Sequence, residues 1–174
     1  MSVTEQEKRL DEIERRLRNL QGDIIREGAN LCADIAQRVI NEGKDKDGNA
    51  FSAYSRRGVP AYWYFGRSLN ASGEARVRAA AKRKEYVSYA DFRTFNNRPI
   101  DKKNFSFSNE MWRNFGVLGV QYSGGVYVLQ IGGKTRESAD KIGWMAGQEG
   151  QSIIAPSKQE LNRAVLALIK KITA

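Results

Sequence analysis

The sequence predicts an α+β protein with a small antiparallel or mixed sheet, a long N-terminal helix, a C-terminal helix that packs on the sheet, and long ordered loops. Two observations carry this prediction. Apolar residues recur at helical spacing near both ends of the 174-residue chain. Between these ends, two strand-like runs flank Ser123-Gly124-Gly125, a pattern that is typical of an antiparallel β-hairpin.

The N-terminal helix is predicted over residues 4–42, with a break or kink near 22–28, where Gly22 and Gly28 weaken it. Its first half carries a narrow apolar seam at heptad spacing on an otherwise charged surface. The seam consists of Leu10, Ile13, Leu17 and Leu20. Two interpretations stay open: the helix packs on the core of its own chain, or it is an arm that packs on another subunit. The expected organisation is an arm over residues 1–21 and a single domain over 22–174.

Residues 44–73 are predicted to form a long ordered loop within that domain. Gly, Asn, Ser and Pro are frequent there, and the helical periodicity has ended. Aromatic residues are nevertheless dense, which is not typical of a disordered linker. The candidate contact with a neighbouring subunit or docking partner is the run Tyr62, Trp63, Tyr64 and Phe65.

Positive charge is concentrated in the middle of the chain. Residues 44–113 hold 15 Lys and Arg against seven Asp and Glu, a net charge of +8 out of +9 for the whole protein. Residues 74–86 predict a basic helix, whose cations are Arg76, Arg78, Lys82, Arg83 and Lys84. These side chains are candidate contacts to DNA phosphates or to an acidic protein partner. The simpler alternative is a solvated helix face.

The C-terminal part predicts a hairpin with strands at 117–122 and 126–131, followed by a final amphipathic helix. Ser157 and Glu160 have the spacing of a capping box at the start of that helix. Its apolar stripe contains Leu161, Val165, Leu168 and Ile172. We expect the first three to pack on the hairpin, so that Val165→Asp would bury an unpaired charge.

The composition argues against an enzyme, a cofactor site and a metal site. The chain has no His, which excludes a Ser-His-Asp triad and His-ligated zinc, and its single Cys excludes an internal disulfide. The segment IGGKT at 131–135 imitates the end of a phosphate-binding loop, but Val128 stands where the first glycine belongs. The uncharged stretch 114–133 contains seven Gly or Ser, so it predicts the hairpin rather than a membrane span.

Several segments occur in an order shared with a known family. A long helix leads to GKDKDGNAFSAYS, where a turn of Gly and Asp precedes an aromatic residue. A basic segment, YADFRTFNNRPIDKKNFSFSNEMWRNFGV, the Gly-Gly hairpin, IIAPS and the last helix follow. Ser108-Asn109-Glu110-Met111 matches a Ser/Thr-Gly-x-Met/Leu segment, with Asn109 in place of the glycine. Over residues 24–174 the chain resembles the tail-completion and head–tail connector proteins of tailed phages, also called neck or virion morphogenesis proteins.

The resemblance implies a structural virion protein without catalytic activity. It implies a homo-oligomeric ring, a hexamer or a dodecamer, at the head–tail interface, with portal or adaptor proteins and tail proteins as partners. DNA would pass through the lumen without sequence-specific contacts. The protein would be found in the virion, and in the host cytoplasm during assembly. One alternative is a different assembly component, such as a capsid-decorating or baseplate subunit. The basic middle segment favours another, a stand-alone nucleic-acid-binding protein.

Overall fold

The computed structural model describes residues 3–106 and 108–173, and the chain is α+β, as predicted. Its contacts group the chain into two compact units. The terminal unit comprises Met1–Gln37 and Glu110–Ala174, and the inserted unit comprises Arg38–Asn109. This differs from the single domain expected over 22–174, because the inserted unit buries an apolar core of its own.

The terminal unit begins with two helices, α1 (Val3–Arg18) and α2 (Gln21–Gln37). The break between them lies at residues 19–20, just before the glycines that were expected to cause it. There Leu20 is buried, so the chain turns where the first core side chain begins. The later elements of this unit are α5 (Glu110–Arg113), β3 (Phe115–Ser123), β4 (Val126–Gly133), α6 (Arg136–Glu149) and α7 (Lys158–Thr173).

Strands β3 and β4 form the predicted antiparallel hairpin, paired from Phe115↔Gly133 to Ser123↔Val126. Its two-residue turn needs a positive φ at both central positions. Gly124 and Gly125 supply these values, +59° and +82°. The glycine pair therefore predicted both the turn and its location, and the strands are longer than predicted.

Helix α2, rather than α7, covers the hairpin. Gly28 lies at this contact, since a Cβ atom there would be 2.9 Å from the methyl groups of Leu129. Helix α7 packs mainly on another face of α2, where Arg163 Nη1 is 2.8 Å from Asp34 Oδ2. The expected packing of α7 on the hairpin is thus corrected, because α2 already occupies that sheet face. Leu161 and Val165 remain 42% and 51% exposed.

The start of α7 agrees with its predicted capping box. The backbone N–H of Ser157 donates to Glu160 Oε2 at 2.6 Å, and the backbone N–H of Glu160 donates to Ser157 Oγ at 3.2 Å. These two bonds satisfy amide donors that have no carbonyl partner in the first turn of a helix. The carboxylate of Glu160 is buried as a result of this role, although it belongs to a helix whose other acidic and basic groups are exposed.

The inserted unit begins with a π-helical turn, Arg38–Glu42. Its later elements are β1 (Gly58–Pro60), a 3-10 turn (Ala61–Tyr64), α3 (Ala71–Lys82), β2 (Tyr86–Ser88) and α4 (Tyr89–Phe95). The predicted loop over 44–73 therefore contains a strand, which pairs with β2 in antiparallel register, and a 3-10 turn. The core of the unit consists of Ala61, Val77, Ala80, Val87 and Phe92.

A buried guanidinium organises the chain that follows α4. Arg93 is 1% exposed, and its Nε and Nη1 donate to the carbonyl oxygens of Pro99 and Ser106 at 3.1 and 2.9 Å. Its Nη2 donates to Asn104 Oδ1 at 3.4 Å, and the guanidinium lies 4.2 Å from the ring centroid of Tyr54. The Tyr54 hydroxyl also donates to Asn104 Oδ1, at 2.9 Å. Neutral oxygens and an aromatic face thus replace the carboxylate that usually accompanies a buried arginine.

Candidate assembly surfaces

The four residues of the predicted apolar seam differ in their exposure to solvent. Leu20 is buried in the terminal unit, whereas Leu10, Ile13 and Leu17 are 61%, 36% and 37% exposed. These three residues are called the α1 seam below. The helix is held near its C-terminal end, where Arg16 Nη1 donates to the carbonyl oxygen of Ile172 at 3.1 Å. Of the two interpretations left open, packing on the core of the same chain holds for Leu20, whereas Leu10 is mostly exposed and Ile13 and Leu17 are partly exposed.

Two further elements of the terminal unit expose apolar side chains in rows. On α7, Leu161, Val165 and Ile169 follow one another at i,i+4 spacing and are 42%, 51% and 45% exposed. They are called the α7 stripe below. On the outer side of the hairpin, Val126 and Val128 are at least half exposed. The sequence pattern did not indicate the hairpin surface, because alternation along a strand does not show whether the second face is covered.

The four consecutive aromatics at 62–65 do not act as one cluster. Tyr62, Trp63 and Phe65 are 59%, 58% and 44% exposed. Tyr64 instead stacks on Phe92 in the core of the inserted unit, with ring centroids 4.3 Å apart. Three of the four predicted contact residues therefore lie on the surface, and the fourth, Tyr64, packs against the core.

The cations of α3 and the residues after it are all exposed, and they lie on different sides of the helix. Arg76 and Arg83 are seven positions apart and share one side, while Arg78 and Lys82 are four apart and share another. Arg78 Nε lies 3.0 Å from Glu74 Oε1. Arg83 Nε lies 2.6 Å from Glu85 Oε1, and this hydrogen bond lowers the pKa of the Glu85 carboxyl. The predicted basic patch is thus divided into two smaller patches. In each patch one arginine is paired with a glutamate.

Lys84 ends this segment in an unusual backbone conformation. Its φ is +58°, in the left-handed region that favours glycine. The N–H groups of Lys84 and Glu85 donate to the carbonyl oxygens of Ala81 and Ala80, both at 3.0 Å, which is the pattern of a Schellman motif. A lysine in this conformation costs about 1–2 kcal/mol relative to an ordinary helical one. The fold therefore presents this cation at some expense of stability.

A groove of about 520 Å³ runs between α2 and strand β3 in the terminal unit. Small side chains, among them Ala29 and Ala36, form one wall, and residues 115–119 of β3 form the other. Trp112 also lines the groove, and its buried indole N–H has no hydrogen-bond partner among the described residues. Cys32 is buried in the same wall; burial raises the pKa of its thiol, and nearby Lys134 opposes that rise. We call this feature the α2–β3 groove.

No model of a protein family matches the chain, and neither a curated protein nor a solved structure matches it. Among residues 3–106 and 108–173, no helix combines the length and the hydropathy that crossing a membrane requires. In the same part of the chain, no three Cys, Asp or Glu side chains are grouped so that they could hold a metal ion. The surfaces described above are therefore the features from which a function is inferred.

Proposed function

We propose that this chain is a structural subunit of a tailed-phage virion that forms a ring in the neck, as a tail-completion or head–tail connector protein. The observation that carries the proposal is the apolar surface of the terminal unit. Apolar side chains are exposed in rows on α1, on α7 and on the hairpin, and apolar surface that clusters in this way is typical of protein–protein contacts. The order of sequence segments that resembles phage neck proteins supports the same function.

A ring is favoured over a two-fold dimer because the exposed rows differ from one another. The α1 seam is a narrow heptad row, the α7 stripe is an i,i+4 row, and the hairpin offers alternating strand residues. Contacts between unlike surfaces of identical chains are heterologous, and such contacts close into rings when the rotation allows it. Among the described residues the hairpin is a sheet of two strands, and the edges of so small a sheet are typical sites for pairing with another chain.

Electron microscopy of phage particles made without this chain tests the proposed position. We expect DNA-filled heads and complete tails that have not joined, because the missing ring would connect them. Supplying the wild-type chain from a plasmid should restore joined particles. Intact and infectious particles in the absence of the chain would contradict the proposal.

A second candidate function, non-specific nucleic-acid binding, is favoured by the charge of the inserted unit. Residues 38–109 hold 15 Lys and Arg against seven Asp and Glu, a net charge of +8. Tyr62 and Trp63 are exposed in the same unit. Cations that contact phosphates, together with aromatic rings that stack on bases, are the means by which proteins bind single strands without sequence preference. Such binding fits a subunit that contacts DNA in a ring lumen as well as a stand-alone protein.

The substitution Lys84→Gly tests this second candidate, because it changes stability and DNA affinity in opposite directions. Glycine relieves the left-handed strain, so the free energy of unfolding should rise by about 0.5–1 kcal/mol. Loss of the cation should weaken DNA binding and reduce the slope of log K against log salt by about 1. Lys82→Gln is the matched control, which should weaken binding without the gain in stability. Unchanged DNA affinity in both variants would contradict a DNA-binding role for this segment.

A further inference from the structure

We propose that the α2–β3 groove binds helix α1 of a second copy of this chain. The inference rests on the proposed ring and names the contact that joins one subunit to the next. It connects two surfaces of the terminal unit, an apolar groove and an apolar helix seam. Within the described residues the groove is open, and the seam is mostly exposed at Leu10 and partly exposed at Ile13 and Leu17.

The shape of the groove suits a helix with large aliphatic side chains. Ala29 and Ala36 leave space on the α2 wall, and Gly119 leaves space on the β3 wall, whereas the side chain of Lys134 lies against Gly116. Aliphatic side chains of a partner helix pack well when they project into holes between smaller residues. The α1 seam presents three such side chains in a narrow row, with charged residues on both sides. A narrow seam matches a groove better than it matches a flat surface.

Charge complementarity favours α1 as the occupant. Lys134 is the charged side chain that lines the groove, and no carboxylate accompanies it there. Residues 5–14 of α1 hold five acidic and two basic side chains, a net charge of −3. A carboxylate beside the seam could therefore pair with Lys134. The indole N–H of Trp112, which is buried beside the groove, has no hydrogen-bond partner among the described residues.

The occupant comes from another copy because each chain holds its own α1 elsewhere. Arg16 of α1 is bonded to Ile172 at the end of α7, and α7 packs on α2 beside Asp34. Asp34 and the groove residue Ala36 are two positions apart on α2, so they point to nearly opposite sides of the helix. The carbonyl oxygen of Leu17 in α1 also accepts from the hydroxyl of Tyr127, at 2.8 Å. Neither Ile172 nor Tyr127 lines the groove, so α1 is held outside the groove of its own chain. Because the arm and the groove are unlike surfaces, each subunit can give its arm to one neighbour and accept an arm from the other, which is the heterologous contact that a ring requires.

Disulfide trapping between two differently tagged chains tests the contact. Both chains carry Cys32→Ser, so that the native thiol cannot react. One chain also carries Ile13→Cys in the α1 seam, and the other carries Ala29→Cys in the groove. Leu10→Cys and Leu17→Cys in place of Ile13→Cys sample the neighbouring registers. After mixing and mild oxidation, we expect a mixed disulfide between the two tagged chains, because the seam of one chain lies against the groove of the other.

The matched control replaces the seam cysteine with Trp144→Cys, an exposed position outside both surfaces. The seam pairs should give at least about tenfold more mixed product than this control. A ring-sized oligomer with mixed disulfides no more abundant than in the control would overturn the groove contact and leave the ring intact. Monomers without mixed disulfides would overturn the contact and the ring together. Circular dichroism of each variant confirms that the chains being compared are folded.

Discussion

Replacing Arg93 with methionine is expected to lower the free energy of unfolding of the inserted unit by about 4 kcal/mol. The guanidinium donates to the carbonyl oxygens of Pro99 and Ser106 and to the side chain of Asn104, all within a buried region. Methionine has a similar length but no donor, so the carbonyl oxygens of Pro99 and Ser106 would each lose a hydrogen bond at about 1–3 kcal/mol. Asn104 Oδ1 would keep its bonds from the Tyr54 hydroxyl and the backbone N–H of Ser106. The net loss of stability is smaller than the sum of these costs, because methionine removes the free-energy penalty of burying a charge.

Urea unfolding followed by circular dichroism measures the effect of Arg93→Met. Arg76→Met is the matched control, since Arg76 is exposed on α3 in the same unit and should change stability by less than about 0.5 kcal/mol. Arg93→Lys should fall between the two, because an ammonium group keeps the charge but cannot reach all three oxygens. A wild-type unfolding curve for Arg93→Met would show that this guanidinium does not hold the loop.

The substitution Val165→Asp is expected to block assembly while leaving the subunit folded. Val165 lies in the middle of the α7 stripe and is 51% exposed, so an aspartate there should cost the single chain no more than about 1 kcal/mol. In an assembled interface the same carboxylate would be buried without a partner. A cost of about 3 kcal/mol for that burial corresponds to self-association that is more than about 100-fold weaker.

Sedimentation velocity measures the association of Val165→Asp, and thermal melting measures its fold. Gln159→Asp adds the same charge to the same helix outside the α7 stripe, and it should assemble like the wild type. Two outcomes would contradict the expectation. Loss of the cooperative melt would mean that the stripe belongs to the subunit core, as the sequence alone suggested. Wild-type assembly would mean that the α7 stripe takes no part in the interface.

Local features could be predicted from the sequence where a short segment decides them. The Gly124-Gly125 pair specified a turn that needs two positive φ angles, and Ser157 with Glu160 specified a helix start. The amphipathic pattern of α7 identified its apolar positions equally well. It could not show which neighbour covers them, because α2 competes for the same sheet face through the close approach at Gly28.

The errors in assigning these residues have one physical cause. Their partners are distant in the sequence or are backbone carbonyl groups, which a side-chain pattern does not show. Arg93 looked like one more cation of a basic segment, and its burial depends on carbonyl oxygens that a later loop brings to it. Tyr64 looked like its aromatic neighbours, but successive residues of a 3-10 turn point to different sides, and only this ring meets Phe92. The boundary between the units was missed because no Gly- or Pro-rich linker marks residues 37–38 or 109–110.

Native mass spectrometry of the purified chain over a range of concentrations tests the proposed ring most directly. A closed ring has one preferred size, so the spectrum should show a discrete oligomer of six or twelve copies of the 19.6 kDa chain. The proportion of that oligomer should rise with concentration, without a continuous series of larger species. A mass that stays at 19.6 kDa up to the solubility limit, or an open-ended series of oligomers, would contradict the ring.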